Sequence, residues 1–79
     1  MTVYEWQLIF SNRVCDRREE LNMSQRELGD SIGISPVMMS RYMNGQAMPK
    51  FPIIINIARV LKCSVSDLVE VDDFVGIAK

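Results

Sequence analysis

The segment from Ser24 to Gly45 starts and stops a helix twice. Ser24 is a helix N-cap residue, and Glu27, three positions on, is its capping-box partner. Gly33 ends the stretch 25–32, because glycine enters positive φ at no steric cost. Ser35 and Pro36 then restart the chain as an N-cap followed by proline at the first helical position. Asn44 and Gly45, both tolerant of left-handed geometry, stop the new helix after about Met43. The chain is thereby committed to two short helices joined by a glycine turn.

The flanks are helical too. Thr2 and Glu5 form a second capping box, and Val3, Trp6, Phe10, Val14 and Leu21 recur as one face of a helix over roughly residues 3–21. A loop holding Pro49 leads to a fourth helix at about 52–62, with Phe51, Ile54, Ile57, Ala58 and Leu61 on its inner face. Ser66 and Asp67 open a fifth turn or helix through Leu68 and Val69. The tail at 70–79 is a short C-terminal extension or strand, through Phe74, Val75 and Ile77. The expected fold is all-α, with five helices in one domain over residues 1–79, since 79 residues leave room for one core.

Composition removes whole classes of chemistry. With no His, the chain cannot host a Ser-His-Asp or Cys-His site, His-ligated zinc or a His general base. Cys15 and Cys63 are too few for a zinc site or a disulfide framework, and read as reduced, core-filling thiols. No nucleophile–base pair or metal set is recognisable, so neither catalysis nor a cofactor, metal or small-molecule substrate is expected. The start of the chain lacks a basic, cleavable leader, and no apolar run is long enough to span a membrane. A cytoplasmic protein is the expectation.

Two short helices across a glycine turn suggest a helix-turn-helix. That motif needs a small residue where its helices cross, which Gly29 supplies, and a positive-φ residue in the turn, which Gly33 supplies. Leu28, Ile32, Ile34, Met39 and Tyr42 supply its inner faces. The ordered run Ser24-Gln25-Arg26-Glu27-Leu28-Gly29, Ile32-Gly33-Ile34-Ser35, Ser40-Arg41 and Asn44-Gly45 resembles the phage-repressor (Xre/Cro-like) helix-turn-helix family. The likeness continues through Pro49, Ile57-Ala58, Leu61 and Ser66-Asp67-Leu68, about residues 10–69.

The resemblance implies a five-helix domain that binds double-stranded DNA, usually as a homodimer on a palindromic operator. It places the motif at about 24–44 and the recognition helix, about 36–43, in the major groove. By position, Gln25 matches the family's phosphate-contacting Gln, where free N–H groups and the helix dipole favour an anion. Ser35, Pro36, Val37, Met38, Ser40 and Arg41 fall on or near the groove-facing side. Asn44, Gln46 and Lys50 fall where the family meets phosphates.

Side-chain chemistry refines these roles. The planar fork of Arg41 matches guanine O6 and N7. Val37 can offer only an apolar contact to a thymine methyl, Pro36 has no side-chain donor, and Ser40 suits a base or a phosphate. Few direct hydrogen bonds to bases are therefore expected, with DNA shape supplying part of the specificity. Met39 reads as core, Met43 as partly core, and Met38 as facing DNA or a protein partner. Arg26 and Glu27 read as a solvated face and a cap, and Arg13, Arg17 and Arg59 as solubilising charges, with a phosphate contact as the alternative for each of the three.

The family commonly carries Glu where Met43 stands, paired with an arginine at the place of Arg18. That pair cannot form here, which frees Arg18 for a phosphate or for another acid such as Glu19 or Glu20. Trp6 with Tyr4, Leu8 and Ile9 is more than one helix face can bury, and Ile53, Ile55 and Val60 lie beyond the core stripe of helix four. With Leu68, Val71, Phe74, Val75 and Ile77 they point to a homodimer interface through helix four, helix five or the tail. A two-fold dimer sets its recognition helices about one DNA turn, roughly 34 Å, apart. A transcriptional regulator, most simply a repressor, is the expected function. The alternative is a protein-interaction module or antitoxin in which DNA is secondary.

The formal net charge of −1 conceals a strong segregation. Residues 31–66 hold Arg41, Lys50, Arg59 and Lys62 and no acid at all, whereas residues 67–79 hold four acids and one lysine. Phosphates meet the local charge, so a basic recognition segment is compatible with an acidic total.

Overall fold

A computed structural model describes residues 2–69. The expected extension or strand at 70–79 lies outside the described residues, and so does the side chain of Val3. Five α-helices follow in order: α1 (Val3–Glu20), α2 (Gln25–Ile32), α3 (Pro36–Met43), α4 (Phe51–Val60) and α5 (Val65–Leu68). No strand occurs among the described residues, and the fold is the expected all-α, five-helix one.

Local capping sets the first three helices. The Glu5 N–H donates to the Thr2 hydroxyl at 3.1 Å, and the Glu27 N–H donates to the Ser24 hydroxyl at 3.0 Å. The Ser24 N–H returns a bond to Glu27 Oε1 at 3.1 Å, which completes the capping box of α2. The box expected at α1 is only half formed, since Glu5 Oε1 accepts from the Thr2 hydroxyl at 3.2 Å instead of from the Thr2 N–H. Gly33 ends α2 in the left-handed conformation at φ 73°.

The helices bury one cluster: Phe10 and Val14 from α1, Leu28 from α2, Met39 and Tyr42 from α3, Ile54, Ile57 and Ala58 from α4, with Leu61 and Leu68. α2 packs against α3 and α4, α1 against α3 and α5, and α4 against α5. Gly29 is buried where α2 meets α3. A Cβ there would lie 2.7 Å from Met39 Cγ and 3.0 Å from the Ile34 carbonyl oxygen. Gly45, at φ 72°, faces Leu8 of α1 with equally little room, 2.8 Å from a Cβ to Leu8 Cδ2.

Two further sequence expectations are corrected. Phe51, expected on the inner face of α4, is 62% exposed, because as the first helical residue it overhangs the end of the buried stripe. α5 starts before Ser66-Asp67, at Val65. Asp67 reaches back to accept the Ser64 N–H at 3.0 Å, which makes Ser64 the N-cap.

Candidate nucleic-acid interface

The inner face of α3 is fixed by Met39 and Tyr42, both buried. Helical periodicity then turns Val37, Arg41 and Asn44, spaced four and three apart, away from the core. Val37 and Arg41 are exposed; Val37 is 72% so, although an apolar side chain gains nothing from water. Pro36 at the first helical position is exposed as well. Ser35 caps the helix, its hydroxyl accepting the Met38 N–H at 3.3 Å. Met38 is half-buried and packs against the core cluster. Ser40 is also half-buried, and its hydroxyl accepts a hydrogen bond from Asn44 Nδ2 at 3.3 Å.

The loop after α3 continues this outer surface. Gln46 is exposed and its N–H donates to the Arg41 carbonyl at 2.9 Å, tightening the helix end. Lys50 is exposed at the N-cap of α4. Gln25 opens α2 and shares a shallow groove with Arg26, Asp30, Ile34 and Pro36. That groove brings the start of α2 beside the start of α3. The capping box occupies the N–H groups of Ser24 and Glu27, while those of Gln25 and Arg26 have no backbone acceptor among the described residues. Such open N–H groups at a helix start suit an anion.

The arginines separate by what holds them. The Arg41 guanidinium has no hydrogen-bond or ion-pair partner among the described residues. Arg26 makes a long ion pair with Asp30, 4.0 Å from Nε to Oδ2. Arg17, expected as a plain solubilising charge, is fully engaged instead. Its Nε donates to the Leu61 carbonyl at 2.9 Å, its Nη2 to the Lys62 carbonyl at 3.2 Å, and its Nη1 to Glu20 at 2.8 Å. It thereby satisfies carbonyls at the C-terminal end of α4, the negative end of that helix dipole.

Arg18 pairs with no acid among the described residues. Its Nη1 donates to the Met23 carbonyl at 3.0 Å, its Nη2 lies 3.8 Å from Cys15 Sγ, and its Nε is buried without a partner. Cys15 Sγ in turn lies 3.9 Å from Met43 Sδ. The Cys15 sulfur, itself beside that of Met43, thus stands near Arg18 where the resemblance leads one to expect a carboxylate.

Elsewhere on the molecule, Arg13, Asp16, Arg17, Glu20, Lys62, Cys63, Asp67 and Leu68 border an open cleft of about 420 Å³. Burial raises the Cys63 thiol above its ordinary pKa, the Asp67 charge adds to that rise, and Arg17 opposes it. A protonated thiol is the less reactive form. The hydrogen bonds from the Ser64 N–H and hydroxyl hold the Asp67 carboxyl below its ordinary pKa, against a partial loss of hydration, with help from Arg17 and Arg13. No group of three or more metal-ligating side chains is assembled among the described residues. No helix there is long and apolar enough to cross a membrane.

Comparison with known proteins converges on the segment just described. A family model described as Helix-turn-helix matches residues 16–68. The chain is 30% identical over 56 residues to the cryptic phage CTXphi transcriptional repressor RstR of Vibrio cholerae serotype O1. That match covers 71% of this chain and 50% of the relative, so the chain spans half the length of the curated protein it resembles. Two solved structures share the fold. The crystal structure of FeII HppE superposes with a TM-score of 0.74 at 26% identity, over 81% of this chain and 34% of that one. The crystal structure of apo-HppE gives 0.73 at 26% identity, over 80% and 35%.

Proposed function

The chain belongs to the Xre/Cro-like Helix-turn-helix family, and from that premise we propose that it is a sequence-specific, DNA-binding transcriptional regulator. It acts as a homodimeric repressor on a palindromic operator, with α3 in the major groove, α2 across the backbone and residues 1–79 working as one domain. The observation that carries this reading is the outward stripe of Val37, Arg41 and Asn44 on a helix whose opposite face is locked into the core. Its central member, Arg41, is a charged donor fork with no partner among the described residues. The likeness to a phage transcriptional repressor supports the same assignment.

The division of labour follows from chemistry. Arg41 reads guanine, Val37 packs on a thymine methyl, and Ser40 meets a base or phosphate. Gln25, Asn44, Gln46 and Lys50 hold the backbone, with Ser35, Pro36 and Met38 completing the approach. Apolar surface at Tyr4 and Leu8, 64% and 38% exposed, supports association of two copies. The iron of FeII HppE is a property of that protein, of which this chain covers about a third.

Selection of bound duplexes from random sequence, with the protein's mass measured in solution, tests the proposal. A palindromic consensus and a dimer mass are expected. Absence of any preference over random competitor at moderate salt overturns the regulator reading. A monomer mass on an asymmetric site overturns the dimer. A second reading, a protein-interaction module or antitoxin, draws on the exposed apolar side chains of Val37 and Phe51. It predicts that substituting Arg41 leaves the function intact.

A further inference from the structure

Arg26 sits one residue beyond Gln25 and lines the same groove as Gln25 and Pro36. Its side chain is 85% exposed, and it is tied only to Asp30, 69% exposed, across 4.0 Å. An exposed pair this long is weakly held and readily exchanged. Asp30 is also the last acid before the acid-free stretch 31–66. The other acid of α2, Glu27, is consumed by the capping box. Asp30 is therefore the single uncapped carboxylate of α2, and it lies on the groove that joins the starts of α2 and α3.

We infer that Arg26 is a further backbone-contacting residue, which leaves Asp30 for a DNA phosphate on binding, so that Asp30 tempers affinity for duplex DNA in general. The inference rests on the DNA-binding reading above. Arg26 stands at the opening turn of α2, beside two N–H groups without backbone acceptors, where an anion is already favoured. The duplex presents a charge about every 1.7 Å of its axis, and neutralising one of them releases a counterion. A lone carboxylate offers neither. Once Arg26 departs, Asp30 is open enough to be hydrated, so its release costs little. Until then it competes for the guanidinium and repels the approaching backbone.

The test is a titration of the full chain with a labelled random-sequence duplex, repeated from about 50 to 200 mM salt, since phosphate contacts need no specific sequence. For Arg26→Gln we expect severalfold weaker binding at the low-salt end and a salt slope smaller by about 0.9 for each subunit bound. Arg26→Lys, which keeps the charge, restores the slope. Asp30→Asn strengthens binding severalfold with the wild-type slope. An unchanged slope in Arg26→Gln overturns the contact, as does an equal loss in Arg59→Gln, a control for charge alone at the other end of α4 from Lys50. Unchanged affinity in Asp30→Asn overturns the tempering role. If the wild-type chain binds no duplex, the DNA-binding reading itself falls and takes the inference with it.

Discussion

A Cβ on Gly29 would stand 2.7 Å from Met39 Cγ, so α2 and α3 meet without room for one methyl group. The nearby Ile34 carbonyl, at 3.0 Å, belongs to backbone and cannot rotate away. Gly29→Ala gains about 1 kcal/mol of helix propensity but incurs an overpacking cost of about 1–3 kcal/mol. The expected net effect is a loss of about 1 kcal/mol, read as a lower urea midpoint with an unchanged slope. It should also weaken DNA binding, because the outer face of α3 moves with Met39.

Arg41→Ala should cost about 1–3 kcal/mol of binding and relax preference at one base pair. Gln25→Ala should weaken binding evenly across sequences, since a phosphate carries no sequence information. Competition titrations against a panel of single-base operator variants distinguish the two patterns. Equal loss on every variant for Arg41→Ala would reassign it to the backbone.

Met43→Glu should stabilise the fold. Arg18 Nε is buried without an acceptor, and Cys15 Sγ, 3.9 Å from Met43 Sδ, is a weak one. A carboxylate at that position supplies a charge-assisted bond to a donor that is already desolvated, offset by its own desolvation. A net gain of about 1 kcal/mol corresponds to a rise in Tm of about 4–8 °C for a domain of this size. A fall in Tm would show that the site favours sulfur packing.

Lys62 adopts φ 58° just after α4, the left-handed position where glycine is the usual occupant. Lys62→Gly removes a steric cost of about 1–2 kcal/mol and adds unfolded-state freedom that offsets about 0.4–1 kcal/mol of it. Chemical denaturation should report a gain of about 0.5–1 kcal/mol. Arg17 continues to bond the carbonyls of residues 61 and 62 in the variant, because those bonds use backbone.

Asp67 sets a pH dependence. Its folded pKa is depressed by the bonds from Ser64, so the stabilisation it contributes is fully present above the ordinary carboxylate pKa. It is lost as pH falls through the lower, folded value. Asp67→Asn should therefore flatten the acid limb of a stability–pH curve. An acid limb of undiminished steepness in the variant would place the proton uptake elsewhere.

The starts of three helices are legible almost residue by residue because they are set locally. Thr2 with Glu5, Ser24 with Glu27, and Ser35 with Pro36 each act within one turn. The same logic misplaces the start of α5, since Ser64 and Ser66 both qualify as caps and only the reach of the Asp67 side chain separates them. The candidate interface is legible as positions, Val37, Arg41 and Asn44 among them, through periodicity and family likeness. Arg26 reads from its position only as a solvated charge. Its i,i+4 spacing to Asp30 is the available signal, but that spacing alone does not reveal the groove.

Helix order, the glycines at the crossing and the turn, and the core stripe from Phe10 to Leu61 follow from the order of residues alone, because each depends on steric limits or periods spanning a few positions. Partners far apart along the chain do not. Arg17 meets Leu61 and Lys62, 44 and 45 positions away, and Cys15 meets Met43, 28 positions away. The outward turn of Phe51 belongs with them, since a periodic pattern names a face but not where the neighbouring helices end. Such partners are chosen by packing in three dimensions, and no local spacing encodes them.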